Sequence, residues 1–466
     1  MAVATRARVR GTFASFDTRC ALGIGLAALA LRLAFVLAYG RTQTLNLGVS
    51  GIGFPFSDTF FYSWVGSALS MGDGFTFLGH TTAHWPPGYP FLLAGVYWLF
   101  GADTANALIA NAVIGALTVP LVYFIGLRAL GRAAAIAAAV GLAVMPGQIL
   151  IGDVALAETF YTFELVGFLA LAMSLEQRPR TFVVLGIVAG LAALTRGEGF
   201  LFPLIVLGVW AARGGMRRAF RDTAIVAVVM VLTVAPWTIR NAIVMHGFVP
   251  VATNASATLW SGHNPKANGG PVYHSPAQLA ALGRLSEVDS STRVRDDAIH
   301  WAVHHPLREL ELIPLKLKAL AKGDSEVVWT WINATGAQPL GKRETAVAVR
   351  LADGASYALL VALLLTVLAF GRSLWRVPAM RAMLLFLAAA VPLYGFIYYG
   401  NVRYRIPLEP FMLLVVSRWA SRAGLFRAAH RRGGAGECGE VPEAQGRDGH
   451  PALGGVHRDA SGHQLA

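Results

Sequence analysis

The chain has 466 residues, of which 55% are hydrophobic and only 14% are charged, and its mean hydropathy is +0.54. This composition is more apolar than the core of a soluble protein requires, so the surplus must face lipid. A net charge of +13 is compatible with nucleic acid as a partner. The basic residues, however, cluster in short segments between apolar runs, where they act as topology signals. Composition therefore predicts an all-α integral membrane protein with membrane lipids, and no nucleic acid, as partners.

The first predicted element is a membrane helix at residues 20–39, preceded by a basic cytoplasmic N-terminus, 1–19. The apolar run is long for the core of a cleaved secretory signal and contains Arg32, so we interpret it as a retained helix. The chain has two cysteines, Cys20 and Cys438, which argues against a disulfide framework.

The next apolar segment, 86–100, is ambiguous, because it is short for a crossing of ~20 residues and opens on Pro86 and Pro87. Counted as a crossing, it would place the arginines at 128–132 outside the cell. Treated as an interfacial or re-entrant helix, it places them in the cytoplasm together with the arginine cluster at 213–221. The positive-inside rule selects the second interpretation.

This choice predicts ten spans with both chain termini in the cytoplasm, at 20–39, 105–127, 132–150, 157–174, 181–195, 199–212, 222–238, 354–371, 382–399 and 406–420. Residues 20–238 are the predicted N-terminal transmembrane catalytic module, and residues 354–420 supply the C-terminal transmembrane helices. A turn at 195–199 is predicted to line a cavity in the protein below the outer surface. The tail, 421–466, has no periodicity and is predicted to be a disordered cytoplasmic segment.

Two regions are predicted to lie outside the cytoplasm. The first loop, 40–104, is rich in glycine and aromatic residues and is interpreted as loop up to residue 85. The second region, 239–353, is large enough for a small folded unit, which we call the loop domain. It has helical patterning at 291–304 and 306–321, with Pro306 suited to a first turn and Pro314 expected to kink the second helix.

With this topology, ionisable and other polar residues from six segments converge on the outer face. Such groups are costly near membrane depth, so a cluster of both signs indicates a functional site. Taken alone, each of these residues is explained equally well by a position at the end of a helix. The set comprises Asp58, Asp153, Glu158, Arg196, Glu198, Arg240, Asn241, Arg403, Tyr404 and Arg405.

Several motifs containing these residues resemble those of the family 39-type glycosyltransferases with the GT-C fold. That group is similar to protein O-mannosyltransferases and to the lipid A aminoarabinose transferase. The resemblance covers roughly residues 20–420 and implies a multi-span helical bundle with extracytoplasmic loops. The matching motifs are Asp58-Thr-Phe-Phe-Tyr62, Gly72-Asp-Gly74-Phe75, Trp85-Pro-Pro-Gly-Tyr-Pro90, Leu156-Ala-Glu158, Leu194-Thr-Arg-Gly-Glu198-Gly, Pro236-Trp-Thr-Ile-Arg240-Asn241, Gly262-His-Asn-Pro265 and Arg403-Tyr-Arg-Ile-Pro407.

The resemblance implies an inverting transferase in the inner (plasma) membrane, with its site on the extracytoplasmic side. A sugar would pass from a polyprenyl-phosphate donor to a lipid, glycan or protein acceptor. Asp58 matches the catalytic aspartate of the family and would act as general base or orient the acceptor hydroxyl. Glu158, which opens onto the same face at the start of the fourth span, is the next candidate for a catalytic base or a supporting acid. Arginines suit the phosphate of the donor. The predicted substrate-binding residues are Asp153, Arg196, Glu198, Arg240, Asn241, Arg403, Tyr404, Arg405, His84 and Tyr89.

Two alternatives stay open at this point. A transporter of lipid-linked sugars or polyols would also carry charged residues inside a helical bundle, although the chain shows no internal repeat of two related halves. No cofactor is certain, and a divalent metal is open because His80 and His84 lie in the same loop as Asp58. Two loop histidines are more often surface or substrate contacts than metal ligands.

Overall fold

The computed structural model describes residues 2–39, 58–334 and 340–422. Within these ranges the chain is almost entirely helical, and its regular strands are two residues each, β1 (Thr76–Phe77) and β2 (His80–Thr81), paired antiparallel. The predicted all-α fold class is therefore confirmed. Residues 40–57 of the first loop, and the predicted disordered tail from residue 423 onward, lie outside the described residues.

The N-terminal part of the chain is a series of helices joined mostly by short turns, with a 3₁₀ turn at Gly197–Leu201. The helices are α1 (Ala2–Tyr39), α2 (Asp58–Met71), α3 (Gly88–Phe100), α4 (Thr104–Leu130), α5 (Arg132–Val144), α6 (Pro146–Gly152), α7 (Glu158–Ser174), α8 (Pro179–Thr195), α9 (Phe202–Gly214) and α10 (Met216–Val244).

The loop domain contains α11 (Asn254–Gly262), α12 (Pro276–Leu282), α13 (Glu287–His304), α14 (Pro306–Leu320) and α15 (Ser325–Ala334). The two helices predicted here are confirmed as α13 and α14, with Pro306 in the first turn of α14 and Pro314 inside it. The C-terminal helices are α16 (Lys342–Trp375), α17 (Pro378–Pro392), a π-helical turn (Leu393–Ile397), α18 (Val402–Arg405), a 3₁₀ turn (Ile406–Leu408), α19 (Glu409–Val416) and α20 (Arg418–Arg422).

The chain is a multi-pass membrane protein. By length and composition, the described residues contain five helices that suit a membrane crossing: Phe16–Tyr39, Thr104–Leu130, Met216–Val244, Lys342–Trp375 and Pro378–Ile397. The pair α5 and α6, bent by 49° at its break, makes six if it is one span. Helices occupy all ten predicted positions, whereas the count of ten crossings and their orientation stay predictions.

Several helices extend beyond the predicted spans. Helix α1 begins at Ala2 rather than residue 20, α10 continues to Val244 rather than 238, and α16 begins at Lys342 rather than 354. An apolar run marks only the part of a helix that faces lipid or core. A helix continues into water as long as its residues are helix formers, and the hydropathy pattern does not show where it ends.

The first loop contains a helix where the sequence is interpreted as loop. Helix α2 buries aromatic and aliphatic residues such as Phe61 and Val65 and packs on α3. A Cβ atom at Gly66 would lie 2.7 Å from Cβ of Leu93, so glycine permits this close approach. Helix α3, at 13 residues, is too short to span the ~30 Å hydrocarbon core. Packing against α3 therefore places Asp58, the first residue of α2, on a rigid element.

Small residues bring the helices of the bundle close together, as is common in membrane proteins. Gly186 and Gly190 of α8 face α10 so closely that a Cβ atom would lie 2.4 and 2.5 Å from the Cβ atoms of Val229 and Thr233, respectively. The predicted break at 195–199 is observed as the 3₁₀ turn after α8, where Gly199 lies against the backbone of Ala192. The break directs polar side chains into the bundle.

Candidate active site

The site is organised by Arg403, which joins two carboxylates from distant parts of the chain. Its Nη1 donates a hydrogen bond to Oδ2 of Asp58 at 2.9 Å, and its Nε donates to Oε1 of Glu158 at 2.8 Å. Asp58 and Glu158 are the first residues of α2 and α7. Asn401 caps α18 by accepting a hydrogen bond from the backbone N–H of Arg403 at 2.8 Å. The N-terminal ends of α2, α7 and α18 therefore meet at Arg403.

A second arginine, Arg196, continues the chain of ion pairs. Its Nη1 lies 3.1 Å from Oε1 of Glu158, so this oxygen lies between two guanidinium groups. Its Nε and Nη2 donate to the two carboxylate oxygens of Glu198 at 3.3 and 3.2 Å. Arg196 follows the last residue of α8, and Glu198 lies in the 3₁₀ turn. We call the series Asp58, Arg403, Glu158, Arg196 and Glu198 the ion-pair chain.

Tyrosines surround the inner end of the ion-pair chain. The hydroxyl of Tyr394 donates to Oε1 of Glu198 at 3.1 Å, and its ring stacks on Tyr404 with centroids 4.9 Å apart and planes 2° from parallel. The guanidinium of Arg196 lies over the rings of Tyr161 and Tyr404, at 5.9 and 5.7 Å from their centroids. Tyr394 and Tyr161 are not among the residues predicted from the sequence.

The ion-pair chain runs from a half-buried end to a buried one. The side chains of Asp58 and Arg403 are 29% and 25% exposed, whereas that of Glu158 is 1% exposed. Within the described residues, Oε2 of Glu158 and the hydroxyl of Tyr161 are buried without a hydrogen-bond partner. Buried polar atoms are nearly always paired, so unpaired ones indicate a place for a polar ligand or water.

Two other predicted residues line the same region. Tyr89 is fully buried; its hydroxyl donates to Oδ1 of Asn111 at 3.2 Å and its ring meets Tyr62 edge to face at 5.2 Å. Burial raises the pKa of Tyr62, and the negative charges of Asp58 and Glu158 add to the rise. The His84 ring lies 6.0 Å from that of Phe61 on α2.

Arg405 does not join the ion-pair chain. It is buried, pairs with the Asp324 carboxylate, and donates to the carbonyl oxygens of Leu320 and Lys322 at 3.1 and 2.6 Å. Two residues apart on a helix, Arg403 and Arg405 point in different directions, because neighbouring side chains align only at spacings of three and four. Arg405 therefore contacts the loop domain at positions 320–324, and its predicted role in substrate binding stays a prediction.

Arg240, Asn241 and Asp153 also lie outside the ion-pair chain. Arg240 donates to the carbonyl oxygens of Thr82 and Phe75 at 2.9 and 3.3 Å. Asn241 is buried and donates to the carbonyl oxygens at positions 249 and 251, and Oδ2 of Asp153 accepts from Nε1 of Trp331 at 2.8 Å. These three side chains form hydrogen bonds that connect loops and helices around the site.

In the part of the chain that the structure describes, no three His, Cys, Asp or Glu side chains come together as a group that could hold a metal ion. The acids best placed for a divalent ion, Asp58 and Glu158, are bridged by the guanidinium of Arg403. A cation between them would have to displace that group.

No curated protein sequence matches the chain significantly. It is similar to the archaeal oligosaccharyltransferase AglB from Archaeoglobus fulgidus, solved with an inhibitory peptide and a dolichol-phosphate, at 15% identity and a TM-score of 0.48, over 92% of this chain and 53% of that one. It is also similar to ArnT from Cupriavidus metallidurans, solved with undecaprenyl phosphate, at 17% identity and a TM-score of 0.37, over 86% and 78% of the two chains.

The chain thus spans about half the length of the archaeal oligosaccharyltransferase that it matches. The family match covers residues 84–239 and contains Glu158, Arg196 and Glu198, but neither Asp58 nor Arg403. The resemblance to GT-C glycosyltransferases that the motifs predict is confirmed through residues 84–239, which match the family model described as dolichyl-phosphate-mannose-protein mannosyltransferase.

Proposed function

We propose that the chain is a membrane glycosyltransferase that moves a sugar from a polyprenyl-phosphate donor to an acceptor outside the cytoplasm, with inversion at the anomeric carbon. The observation that carries the proposal is the ion-pair chain, which begins at a half-buried carboxylate, Asp58, and leads to two arginines, Arg403 and Arg196. An acid that accepts a proton and arginines that bind phosphate are the groups that this transfer requires.

Asp58 is the proposed general base. Arg403 binds its Oδ2, so Oδ1 is the oxygen that we assign to the acceptor hydroxyl. As the acceptor oxygen bonds to the anomeric carbon, its proton passes to Asp58. The bond from that carbon to the phosphate oxygen breaks in the same step, and its electron pair leaves with the polyprenyl phosphate. One displacement inverts the configuration of the anomeric carbon.

Arg403 and Arg196 are the proposed phosphate ligands. A planar guanidinium donates several N–H groups in a fixed fork that matches phosphate oxygens, and it stabilises the charge that develops as the donor bond breaks. Within the protein these arginines share Oε1 of Glu158. An oxygen held by two cations is a poor base, so we propose that Glu158 orients the arginines and that Asp58 accepts the proton.

The proposal is tested with the purified protein in lipid nanodiscs and a panel of polyprenyl-phosphate sugars, each supplied with candidate lipid, glycan and peptide acceptors. We expect release of polyprenyl phosphate with at least one donor, together with a product of inverted anomeric configuration. Arg403→Ala should abolish this release. Release that persists in Arg403→Ala, or a product of retained configuration, would contradict the mechanism.

A further inference from the structure

Helix α14 of the loop domain has apolar residues on its exposed side as well as on its buried side. Leu312, Ala319 and Leu320 are buried against the protein. On the exposed side, Leu307 and Leu310 are 76% and 62% accessible. A surface helix in water carries polar residues on its outward side, so an outward apolar side indicates contact with something other than water.

The exposed apolar residues form a stripe that is separate from the charged residues of the helix. Leu307, Leu310 and Pro314 are exposed and lie three and four residues apart, so they align along one side of α14. We call these three residues the α14 stripe. The exposed charged residues are spaced by three and seven, which places them on the adjoining side. They are Arg308, Glu311 and Lys318.

The α14 stripe adjoins a contact between α14 and the end of a membrane helix. A Cβ atom at Gly395 would lie 3.4 Å from Cδ2 of Leu317 and 4.0 Å from Cγ2 of Ile313. Gly395 belongs to the π-helical turn Leu393–Ile397. Positions 310, 313 and 317 share one line along α14, because they are three and four residues apart. Leu310 therefore lies beside the residues that pack on this turn.

The π-helical turn is placed at a boundary of the membrane. The crossing Pro378–Ile397 has 20 residues, which at 1.5 Å per residue is about 30 Å, the thickness of the hydrocarbon core. Trp375 and Arg376 precede it, and such residues are typical of the membrane interface. At its other end, Phe396 and Ile397 are 55% and 48% exposed. A helix packed on this end therefore lies where acyl chains meet headgroups.

We propose that α14 is an interfacial helix whose stripe lies among the acyl chains of the bilayer, while its charged side faces headgroups and water. The partner is the bilayer lipid itself, and the apolar side of such helices enters the headgroup and acyl boundary by ~5–10 Å. Two of the three charged residues, Arg308 and Lys318, are basic, which suits the phosphate groups of lipids. The stripe continues the lipid-facing surface that Phe396 and Ile397 begin.

The buried side of α14 contacts the segment that carries Arg403. A Cβ atom at Gly400 would meet the carbonyl oxygen of Lys316, and Arg405 donates to the carbonyl oxygen of Leu320 at 3.1 Å. One helix thus has the bilayer on one side and the backbone of the candidate active site on another. The bilayer therefore helps to fix the loop domain against this segment.

The depth of the stripe is measured with nitroxide spin labels on the full chain, in nanodiscs of phosphatidylcholine and phosphatidylglycerol. Cys20→Ser and Cys438→Ser remove the native cysteines, and single labels are placed through Leu310→Cys, Lys318→Cys or Arg295→Cys. Lys318 is the matched control on the charged side of α14, and Arg295 is an exposed residue of α13. Oxygen concentrates among acyl chains, whereas a nickel chelate stays in water. We expect oxygen to relax the label at position 310 more than nickel does, and the reverse at positions 318 and 295.

Two results would overturn the proposal. A label at position 310 that nickel relaxes more than oxygen would place the stripe in water. A label shielded from both reagents would place it against protein, such as a second copy of the chain. Leu307→Cys repeats the measurement at a second position of the stripe, and an unchanged thermal midpoint identifies the labelled variants that keep the fold. The measurement uses no substrate, so its result is independent of the proposed function.

Discussion

Replacement of Asp58 by asparagine separates the proposed proton transfer from the ion pair. Oδ2 of Asp58 accepts from Arg403 at 2.9 Å, and the side chain is 29% exposed. Asparagine has the same size, and its amide oxygen still accepts a hydrogen bond from Arg403, but it does not accept a proton at neutral pH. The variant therefore keeps the start of α2 in place and removes only the base.

The expected effects of Asp58→Asn on stability and on turnover differ in magnitude. A hydrogen bond to a charged partner contributes ~1.5–3 kcal/mol and one between neutral groups ~0.5–1.5 kcal/mol. Here Arg403 stays charged, and solvent screens a partly exposed pair, so stability should fall by less than ~1 kcal/mol. Removal of a general base costs ~10²–10⁴-fold in turnover, which is ~3–5 kcal/mol of activation free energy. Turnover should fall far more than stability.

The assay follows polyprenyl phosphate release with the substrates on which the wild-type protein is active, together with the thermal midpoint of each variant. Asp73→Asn is the matched control, since Asp73 is an exposed acid of the same loop outside the ion-pair chain. We expect donor KM and thermal midpoint to change little in both variants, and turnover to fall only in Asp58→Asn. Wild-type turnover in Asp58→Asn together with an inactive Glu158→Gln would assign the base to Glu158.

Three further outcomes are expected. Arg196→Ala should weaken donor use by ~1.5–3 kcal/mol in kcat/KM, with partial rescue by Arg196→Lys, which lacks the planar fork; equal kcat/KM in all three proteins would remove Arg196 from the site. Arg405→Ala should destabilise the fold by ~3–5 kcal/mol, because it leaves the buried Asp324 carboxylate without its cation, and an unchanged thermal midpoint would contradict that. In a cysteine-free background, a cysteine at position 130 should resist an impermeant reagent in intact cells, whereas one replacing Arg295 in the loop domain should react.

The sequence by itself determined the class of molecule and predicted five residues that the structure brings together. Apolar runs near the length of a membrane crossing, with arginines between them, predict a helical multi-pass protein, since a helix satisfies its own backbone in lipid. Asp58, Glu158, Arg196, Glu198 and Arg403 were predicted to converge because charged groups are costly at membrane depth and must find one another. The structure brings these five into one chain of ion pairs.

Only the tertiary structure decided which polar residues meet and which do not. Arg403 and Arg405 stand in one motif, yet one binds Asp58 and the other Asp324, because helix rotation sends side chains two positions apart in different directions. Tyr394 has no polar neighbour in sequence that would mark it. Glu287 contacts Ala83 across 204 residues. Such pairings depend on how distant segments pack, and no local pattern of spacing or hydropathy encodes that arrangement.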